Sequence, residues 1–289
     1  MWRFITPQIN PYTTISAFLR GQHFSQTLRR RIRREGQIQK NGCPASFNDF
    51  LAAGDELSIA LPGSTQASAS GTLDIVYEDS FFLAVNKPAG LVTHPLSAAK
   101  EVSLLNVALQ HCRNADPNTS LHPVMRLDRN TSGLLLFAKN PRDHHLVEQH
   151  GIQKTYLALL ESPPPSVSGD IYLPIARKPG SIIERQISAT GQAAHTSYLI
   201  RKTYPRYTLA EFTLHTGRTH QIRVHAAACG FPLVGDDLYG LSKAPPLPGQ
   251  ALHAWQLIFY HPHMRRFIHL RAPVPVSWRA LFQRQQFCK

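Results

Sequence analysis

The sequence lacks long hydrophobic runs. Its 289 residues contain no stretch that approaches the ~18 to 20 continuous apolar residues of a membrane span. The N-terminal run MWRFITPQIN also lacks the apolar core of a secretory signal peptide. We therefore expect no membrane association and a cytoplasmic location.

Cysteine is scarce, and its spacing is unpaired. The chain has 4 cysteines, Cys43, Cys112, Cys229 and Cys288. Because they lie far apart with no short paired spacing, they indicate neither a disulfide framework nor a zinc knuckle. We interpret them as ordinary small thiols.

Histidine, in contrast, is abundant, with 15 residues, and raises the question of a metal site. The best candidates are His215, His220 and His225, which recur at intervals of five. One helical face requires ligands at i and i+4, so this interval is wrong. We predict no metal site and interpret these residues as neutral hydrogen-bonding side chains, a role that suits contact with RNA.

Acidic residues are few relative to basic ones. Asp and Glu number 18 against 31 Lys and Arg, giving a net charge of +13 and a pI near 9.9. Positive fields of this size attract polyanions, so nucleic acid is the leading partner. The alternative is a basic protein whose charge only maintains solubility. A hydrophobic fraction of 43% is enough to fill a substantial core in either case.

Residues 12–61 have the pattern of a small unit with two helices and a hairpin. Ser25 can cap a helix that runs to Gly36, and Asn41-Gly42 is a tight hairpin signal. Five arginines crowd this second helix: Arg29, Arg30, Arg31, Arg33 and Arg34. Their mutual repulsion is costly without an anionic partner. A solvated basic face is the alternative, but we predict contact with RNA phosphates.

This segment resembles the small RNA-binding domain first described in a ribosomal protein of the small subunit. The resemblance lies in the basic helix, the following GQI…NG hairpin and the GD turn, and it covers about fifty residues. Residues 62–72, PGSTQASASGT, are small and polar, and they predict a flexible linker. The sequence thus predicts a domain boundary before residue 73.

Residues 73–289 alternate extended runs with shorter helical patterns. Apolar and β-branched runs such as SFFLAVNKP, LLLFAK and RYTLAEFTLH predict strands. NPRDHHLVEQHG predicts a helix with Asn140 as cap, Pro141 at its first position and Gly151 past its end. Consecutive strands with inserted helices indicate an α+β domain with a mixed, mostly antiparallel sheet, preceded by the small N-terminal α/β domain. No internal repeat and no Gly-rich phosphate loop occur.

Four segments, in a fixed order along the chain, contain the residues that indicate a function. They are VYEDSFFLAVNKPAGLVTHP, MRLDRNTSGLLLFAK, KTYLALLE and TGRTHQIRVHAAACGFPLVGDDLYG. In this order they resemble the RluA-type family of RNA pseudouridine synthases, from about Asp74 to the C-terminus. The family motif is HRLD followed two residues later by TSG, so Met125 stands where the family usually has histidine. The aspartate, the preceding arginine and the TSG turn are retained.

The resemblance implies three catalytic residues. Asp128 matches the essential aspartate, which must be ionised and close to the sugar or the base, and an adjacent guanidinium keeps it so. Arg223 matches the arginine that pairs with this aspartate, in a geometry that we expect to be bidentate. Tyr156 matches the tyrosine that stacks on the target base and can assist in proton removal. Attack on ribose and attack on the base both remain open.

The resemblance also predicts residues that bind RNA around this site. Arg126 helps to displace the target nucleotide from its stack and can fill the vacated space. The other predicted RNA-binding residues of this domain are Asn86, Lys87, Arg218 and His220. Arg218 is also the second choice for the aspartate's partner. A contact of Lys87 with a phosphate at the rim is equally compatible with the sequence.

Together these observations predict an RNA pseudouridine synthase that acts on ribosomal RNA in preference to transfer RNA. The reaction is an isomerisation, so no cofactor is expected, and the sequence implies a monomer without a protein partner. A noncatalytic RNA-binding or ribosome-assembly protein on the same fold is the alternative, and Met125 is its only support. A glycoside hydrolase is disfavoured because such enzymes normally need two carboxylates, and the MRLDRNTSG motif offers one.

Overall fold

The N-terminal residues form a small unit with a core of its own. The computed structural model describes residues 1–7, 13–62, 68–95, 101–242 and 246–284. The elements of this unit are β1 (Trp2–Ile5), α1 (Ile15–Gly21), α2 (Gln26–Glu35), β2 (Gln37–Lys40), β3 (Cys43–Pro44) and β4 (Glu56–Ala60). Its sheet has the strand order β1-β4-β2-β3. Because β1 pairs with β4, the unit begins at Trp2, whereas the sequence predicted residue 12.

Local sequence signals explain the helices and the turn of this unit. The Ser25 side chain accepts a hydrogen bond from Leu28 N at 3.2 Å and caps α2. Asn41 and Gly42 both have positive φ, 52° and 79°, as a tight hairpin turn requires. Leu28 and Ile32 are the buried residues of α2, so the arginines occupy its other faces. The predicted helices and hairpin are therefore confirmed.

The C-terminal unit is built on a large sheet. Its elements up to β9 are β5 (Ile75–Glu78), β6 (Phe82–Lys87), α3 (Leu104–Ala115), β7 (His122–Pro123), β8 (Ser132–Ala138), α4 (Pro141–His150) and β9 (Ile152–Leu160). The remaining elements are β10 (Ser168–Ile171), β11 (Ile175–Arg177), β12 (Arg185–Ile187), β13 (Thr196–Thr203), β14 (Thr208–Leu214), α5 (Gln221–Ala228), β15 (Leu252–His261), β16 (Arg266–Arg271) and α6 (Val276–Arg284).

One 10-stranded sheet contains most of these strands, and β11 and β12 form a separate two-stranded sheet. The main path of the large sheet is β10-β13-β14-β9-β15-β8-β6-β5, with β16 paired to β15 and β7 to β8. β15 runs parallel to β8, and the other pairings within the described residues are antiparallel. The mixed, mostly antiparallel α+β prediction is confirmed. β15 and β16 were not singled out in the sequence, and β15 separates β9 from β8.

The main core lies around the middle of this sheet. All residues of β8 are buried, as expected for a central strand with both faces covered. α4 begins as the sequence predicted, because Asn140 accepts from the amides of Arg142 and Asp143, and it ends at Gly151 with φ 76°. None of the helices within the described residues has the length and apolar character needed to cross a membrane.

The two units contact each other through Arg142. Its Nε donates to the carbonyl oxygen of Gln22 at 3.0 Å, and its guanidinium lies 5.7 Å from the ring centroids of Phe4 and Phe24. Of the predicted linker, residues 63–67 lie outside the described residues. The described part lies against α3, where Ala69 N donates to Asn106 O at 3.1 Å.

Candidate active site

A cleft of about 620 Å³ opens beside the turn that contains Asp128. The turn joins β7 to β8, and Thr131 N donates to Asp128 O at 3.1 Å within it. Side chains from separate elements line the cleft, among them Arg126, Asp128, Tyr156, Arg218, His220 and Arg223. The Asp128 side chain is 27% exposed. A carboxylate is therefore presented to a concave surface large enough for a nucleotide.

The TSG sequence fixes this turn against the segment that leads into β15. Thr131 accepts a hydrogen bond from Gln250 Nε2 at 3.1 Å, and the Ser132 hydroxyl pairs with His253 Nδ1 at 2.9 Å. Gly133 has φ 106°, and a Cβ there would lie 2.3 Å from the carbonyl oxygen of Ala254. A side chain at this position would push β8 and β15 apart, which explains the glycine.

Residues after β6 fix the same turn from the other side. Thr93 Oγ1 donates to Leu127 O at 3.0 Å, and Gly90 N donates to Arg129 O at 3.0 Å. The ammonium of Lys87 donates to three carbonyl oxygens, those of Pro88, Leu91 and Arg129, at 2.9, 2.8 and 2.8 Å. The NKPAGLVT segment thus braces the backbone on both sides of Asp128.

The predicted RNA contact of Lys87 is wrong. Its side chain is 0% exposed, so it cannot reach a phosphate. Burial lowers the pKa of Lys87 to about 7, although the charge of Asp128 opposes this shift. Asn86 also differs from the prediction, because it does not line the cleft and its Nδ2 donates to Asp74 Oδ2 at 2.9 Å.

Arg223, on the first turn of α5, connects three carboxylates. Its Nη1 contacts Asp128 Oδ2 at 3.3 Å. The expected pairing with Asp128 is present, but its expected bidentate form is not. The two parallel hydrogen bonds go instead to Asp236, from Nε at 2.8 Å and from Nη2 at 2.7 Å. A further contact joins Nη2 to Asp237 Oδ1 at 3.0 Å.

Electrostatics favour the charged form of Arg223. Burial opposes the charge of Arg223, which is 4% exposed, but its hydrogen bonds to Asp236 and the attraction of Asp236 and Asp128 outweigh burial and raise its pKa further. Its Nη1 lies 3.3 Å from Asp128 Oδ2 and places a fixed positive charge beside that side chain. Asp236 is oriented in turn, because its Oδ1 accepts from the amides of Leu238 and Tyr239.

Tyr156 lies on β9 at the cleft wall. It is 5% exposed and pairs with Phe212 of β14 and Ala254 of β15. Burial raises the pKa of the Tyr156 hydroxyl, and the negative charge of Asp128 raises it further. Tyr156 therefore faces the cleft as a neutral phenol.

His220 lies between Asp128 and Tyr239. It adopts a left-handed conformation, with φ 57°, immediately before α5. Its Nδ1 pairs with the Tyr239 hydroxyl at 3.0 Å, and its Nε2 lies 3.8 Å from Asp128 Oδ2. Burial lowers the pKa of His220 despite the nearby carboxylates. His220, which the sequence predicted to bind RNA, is thus also a neighbour of Asp128.

Comparisons with known proteins agree with this geometry. Residues 81–228 match the family model described as RNA pseudouridylate synthase. A Bacillus subtilis relative, "Uncharacterized RNA pseudouridine synthase YlyB", is 35% identical over 260 residues, which cover 86% of each chain. The chain belongs to the RNA pseudouridine synthase family. It is therefore an isomerase that acts on RNA.

Two further comparisons extend this result. "Ribosomal large subunit pseudouridine synthase D" of Nitrosomonas europaea is 36% identical over 223 residues, 73% of this chain and 64% of that protein. The solved structure "Human RNA Pseudouridylate Synthase Domain Containing 4" has a TM-score of 0.60 at 22% identity and covers 74% of this chain and 93% of its own. The latter match supports the synthase fold.

Arg126 and Arg218 lie at the edge of the synthase cleft. Both are exposed, and both line it. Arg218 is held by its Nε, which donates to Ala193 O at 3.0 Å. Burial, and then the charge of Arg126, lower the pKa of the neighbouring His94. The two guanidiniums are accessible to RNA, as their predicted roles require.

Met125 replaces the usual histidine without exposing a gap in the synthase core. Its side chain is 8% exposed and belongs to the main core cluster, and it also lines the cleft. The thioether thus packs at the base of the Asp128 loop. This position gives the noncatalytic alternative no structural support.

The predicted RNA-binding arginines of α2 do not line the active-site cleft. Several have contacts within the N-terminal unit. Arg29 Nε donates to Phe24 O at 3.1 Å, Arg33 lies 4.8 Å from the Phe47 ring centroid, and Arg31 and Arg34 pair with Glu35. Arg30 is exposed. Any RNA contact of this helix is thus separate from the contacts in the cleft.

The three candidate metal-binding histidines do not converge. His215 pairs with Ser197, His220 with Tyr239, and His225 with Thr196 and Leu173. A different set, Asp170, His195 and His215, places one potential ligand atom from each residue within 4.8 Å of the others. The sequence intervals did not indicate this set, because its members are brought together from distant parts of the chain.

Sequence reasoning also assigned no role to Asp236 or Tyr239. Both lie in the GDDLYG stretch, which contributed to the family resemblance. The clustering of Asp236 and Asp237 was the available signal. Only the fold shows that Asp236 meets Arg223.

Proposed function

We propose that this synthase uses Asp128 to isomerise specific uridines in structured RNA, with ribosomal RNA preferred over transfer RNA. The observation that carries the proposal is the pairing of Asp128 with Arg223 at 3.3 Å at the cleft surface. A carboxyl group next to a fixed guanidinium suits nucleophilic or proton-transfer chemistry.

The reaction conserves all atoms and electrons. The C1′–N1 bond of the uridine breaks, the base rotates, and a C1′–C5 bond forms. The C5 proton then leaves and N1 carries a proton in the product, so no redox step occurs. The proposal gives Asp128 the covalent or base role in this sequence, and attack on C1′ and attack on the base are both compatible with it.

The neighbouring side chains support distinct roles. Tyr156 is a neutral phenol at the cleft wall, where its ring can stack on the base and its oxygen can take part in removing the C5 proton. Arg223 orients Asp128 and presents a positive charge to it through its fixed position on α5. These roles require the target uridine to enter the cleft outside any helix.

Arg126 and Arg218 are proposed to bring the nucleotide into position. A uridine stacked in a helix hides its glycosidic bond, so it must be extruded or already unpaired. Exposed guanidiniums at the cleft edge can bind the flanking phosphates, and Arg126 can stack in the space left by the base. His94 is near Arg126 and adds a largely uncharged imidazole to this edge.

The preference for ribosomal RNA rests on two supports. The N-terminal unit, with its basic helix α2, resembles a small RNA-binding domain first described in a ribosomal protein, and we propose that it binds RNA outside the cleft. The relative from Nitrosomonas europaea carries a name that refers to the large ribosomal subunit. A unit that binds a second RNA region would select large folded substrates.

The test is Asp128→Asn, assayed on ribosomal and transfer RNA from cells that lack the gene. The amide keeps the shape and loses the charge and basicity, so we expect pseudouridine formation to be abolished and RNA affinity to stay near the wild-type value. Chemical labelling maps pseudouridine, and titration gives affinity. Glu101→Gln is the matched control, because Glu101 pairs with Arg129 of the same turn.

Each possible outcome has a defined meaning. If Asp128→Asn is as active as the wild type, Asp128 is a structural turn residue and the proposal fails. If transfer RNA alone is modified, the chemical role stands and the preference for ribosomal RNA fails. If the wild type modifies neither RNA, the noncatalytic alternative is favoured.

A further inference from the structure

Three adjacent strands bring two imidazoles and one carboxylate together on one face of the large sheet. Asp170 of β10 is paired with Ser197 of β13, and Ser197 with Thr213 of β14. The pairing continues past the strand ends, where His215 N donates to His195 O at 3.2 Å. His195 and His215 are thus cross-strand neighbours, with Asp170 one strand further on.

This face is opposite the one that carries Tyr156. Side chains alternate along strands, and the pairs Tyr198–Phe212 and Phe212–Tyr156 lie in register across the sheet. Ser197 precedes Tyr198 by one residue and Thr213 follows Phe212 by one residue. Both therefore project to the opposite face of the sheet. The cluster is therefore separated from the active-site cleft by the sheet.

The potential ligand atoms converge on a small volume. His195 Nε2 lies 2.8 Å from Asp170 Oδ1, and His215 Nε2 lies 2.7 Å from the Ser197 hydroxyl. That hydroxyl donates to Asp170 Oδ1 at 2.5 Å. The two imidazoles stack with centroids 3.9 Å apart and planes 11° apart, and Ser197 links His215 Nε2 to the carboxylate that His195 Nε2 contacts.

We propose that Asp170, His195 and His215 form a binding site for a borderline divalent cation of the Zn²⁺ class. Imidazole nitrogen and carboxylate oxygen are ligands of Zn²⁺, at ~2.0 to 2.2 Å. Tetrahedral ligand atoms ~2.1 Å from the ion lie ~3.4 Å apart, so three atoms within 4.8 Å of one another have to change their separations by no more than about 1.4 Å. Asp170 and His215 are both exposed, so side-chain rotation can provide this movement. Water completes the coordination.

The surroundings orient the ligands. Tyr172 stacks on the outer side of His195 with centroids 4.1 Å apart. The backbone of His195 is fixed at both ends, because its N–H donates to Thr216 Oγ1 at 2.9 Å and its carbonyl accepts from Gln221 Nε2 at 2.9 Å. Gln221 is the first residue of α5, so a cation here would tie β10, β13 and β14 to the start of the helix that carries Arg223.

The hydrogen-bond network of the same four side chains is the competing explanation, and Ser197 distinguishes the two. Ser197 links His215 to Asp170 in the network but is not required as a metal ligand. If the three residues bind a metal ion, Ser197→Ala should retain binding. If they form only a hydrogen-bond network, Ser197→Ala should have the same effect as loss of a histidine.

The experiment titrates tag-free, chelator-washed protein with Co²⁺ and follows visible ligand-field absorption, then displaces Co²⁺ with Zn²⁺. We expect one bound ion per chain and a higher melting temperature with Zn²⁺. Asp170→Asn and His215→Gln should each weaken binding by at least ~10-fold and abolish the thermal shift. Ser197→Ala should keep both. His145→Gln is the control, since His145 is a histidine of α4 outside the cluster and its ring pairs with Gln149.

Failure of the proposal would be equally clear. It is overturned if no stoichiometric ion binds, or if Asp170→Asn and His215→Gln bind Co²⁺ as the wild type does. Far-UV circular dichroism of the metal-free variants checks their folding, and the exposed Asp170 position keeps the test valid if His215→Gln is unstable. Pseudouridine formation is not the readout, so the result is independent of the role of Asp128.

Discussion

Asp236 holds Arg223 through two parallel hydrogen bonds of 2.8 and 2.7 Å, whereas Arg223 reaches Asp128 through one contact of 3.3 Å. The shorter, bidentate pairing is thus the one between Arg223 and Asp236, away from the cleft surface. Asp236 fixes the guanidinium plane, and the remaining Nη1 is left to face Asp128. Arg223 is positioned before any substrate binds, as an electrostatic partner in catalysis should be.

Asp236→Asn should therefore slow pseudouridine formation. The amide cannot accept both guanidinium hydrogen bonds, so Arg223 loses its fixed plane and its alignment with Asp128. Small misplacements of this kind cost up to ~10²-fold in rate, and we expect a fall in kcat of that order with little change in KM. Single-turnover kinetics measure it.

Asp237→Asn is the matched control for Asp236→Asn. Asp237 meets the same guanidinium once, and its side chain is 62% exposed, so its removal should change kcat by less than about 3-fold. Equal effects of the two substitutions would show that only total negative charge matters at Arg223. A wild-type rate for Asp236→Asn would remove Asp236 from the positioning of the site.

Tyr156→Phe should lower kcat while retaining RNA affinity. The ring that stacks on the base is preserved, but the hydroxyl proposed to assist proton removal is lost, and such assistance contributes ~10² to 10⁴-fold. We expect a loss near the lower end of this range. Tyr198→Phe is the control, because Tyr198 is buried on the same face of the sheet, two strands away. Full activity of Tyr156→Phe would reduce the role of Tyr156 to stacking.

Lys87→Met should destabilise the fold and leave RNA binding unchanged. Three carbonyl oxygens lose the hydrogen bond from Lys87, although that of Arg129 keeps the one from Gly90 N. Each buried group left unsatisfied costs ~1 to 3 kcal/mol, so the loss of stability should reach a few kcal/mol, less the gain from burying an apolar side chain. Urea unfolding measures the loss, with Lys178→Met as an exposed control. A weaker salt dependence of RNA binding in Lys87→Met would contradict the buried role.

The pH dependence of stability provides a second readout for Lys87. Its pKa is about 7 in the folded protein against the usual 10.5. Between these values the unfolded chain binds more protons, so this residue makes stability increase as the pH rises from 7 toward 10.5. The wild type should show this increase relative to Lys87→Met. Parallel stability curves for the two proteins would contradict a depressed pKa.

Arg30→Gln combined with Arg34→Gln should flatten the salt dependence of RNA binding. If α2 contacts RNA phosphates, each lost contact lowers the slope of log affinity against log salt by about one. Arg265→Gln combined with Arg266→Gln removes the same charge from two exposed residues where the turn after β15 meets β16, and it should change the slope less. Equal slopes for the two double variants would show that α2 contributes only general charge.

The local chemistry of the sequence predicted much of the architecture. Ser25 and Asn140 cap helices where expected, and Asn41-Gly42 forms the hairpin turn, because these signals depend on backbone groups only a few residues away. The four ordered segments also identified the family and named Asp128, Arg223 and Tyr156, which line one cleft. Their catalytic roles remain predictions.

Other features were decided by contacts between distant parts of the chain. The sequence gives Lys87 a charge, but only the fold buries its ammonium among carbonyls of the Asp128 loop. In the sequence, Asp236 is one of two adjacent aspartates. Only the packing of α5 shows that Asp236 forms the bidentate pair with Arg223. Strand order likewise brings Asp170, His195 and His215 onto one face. Periodicity and capping act over a few residues, whereas burial, ion pairing and strand neighbours depend on the whole packed chain.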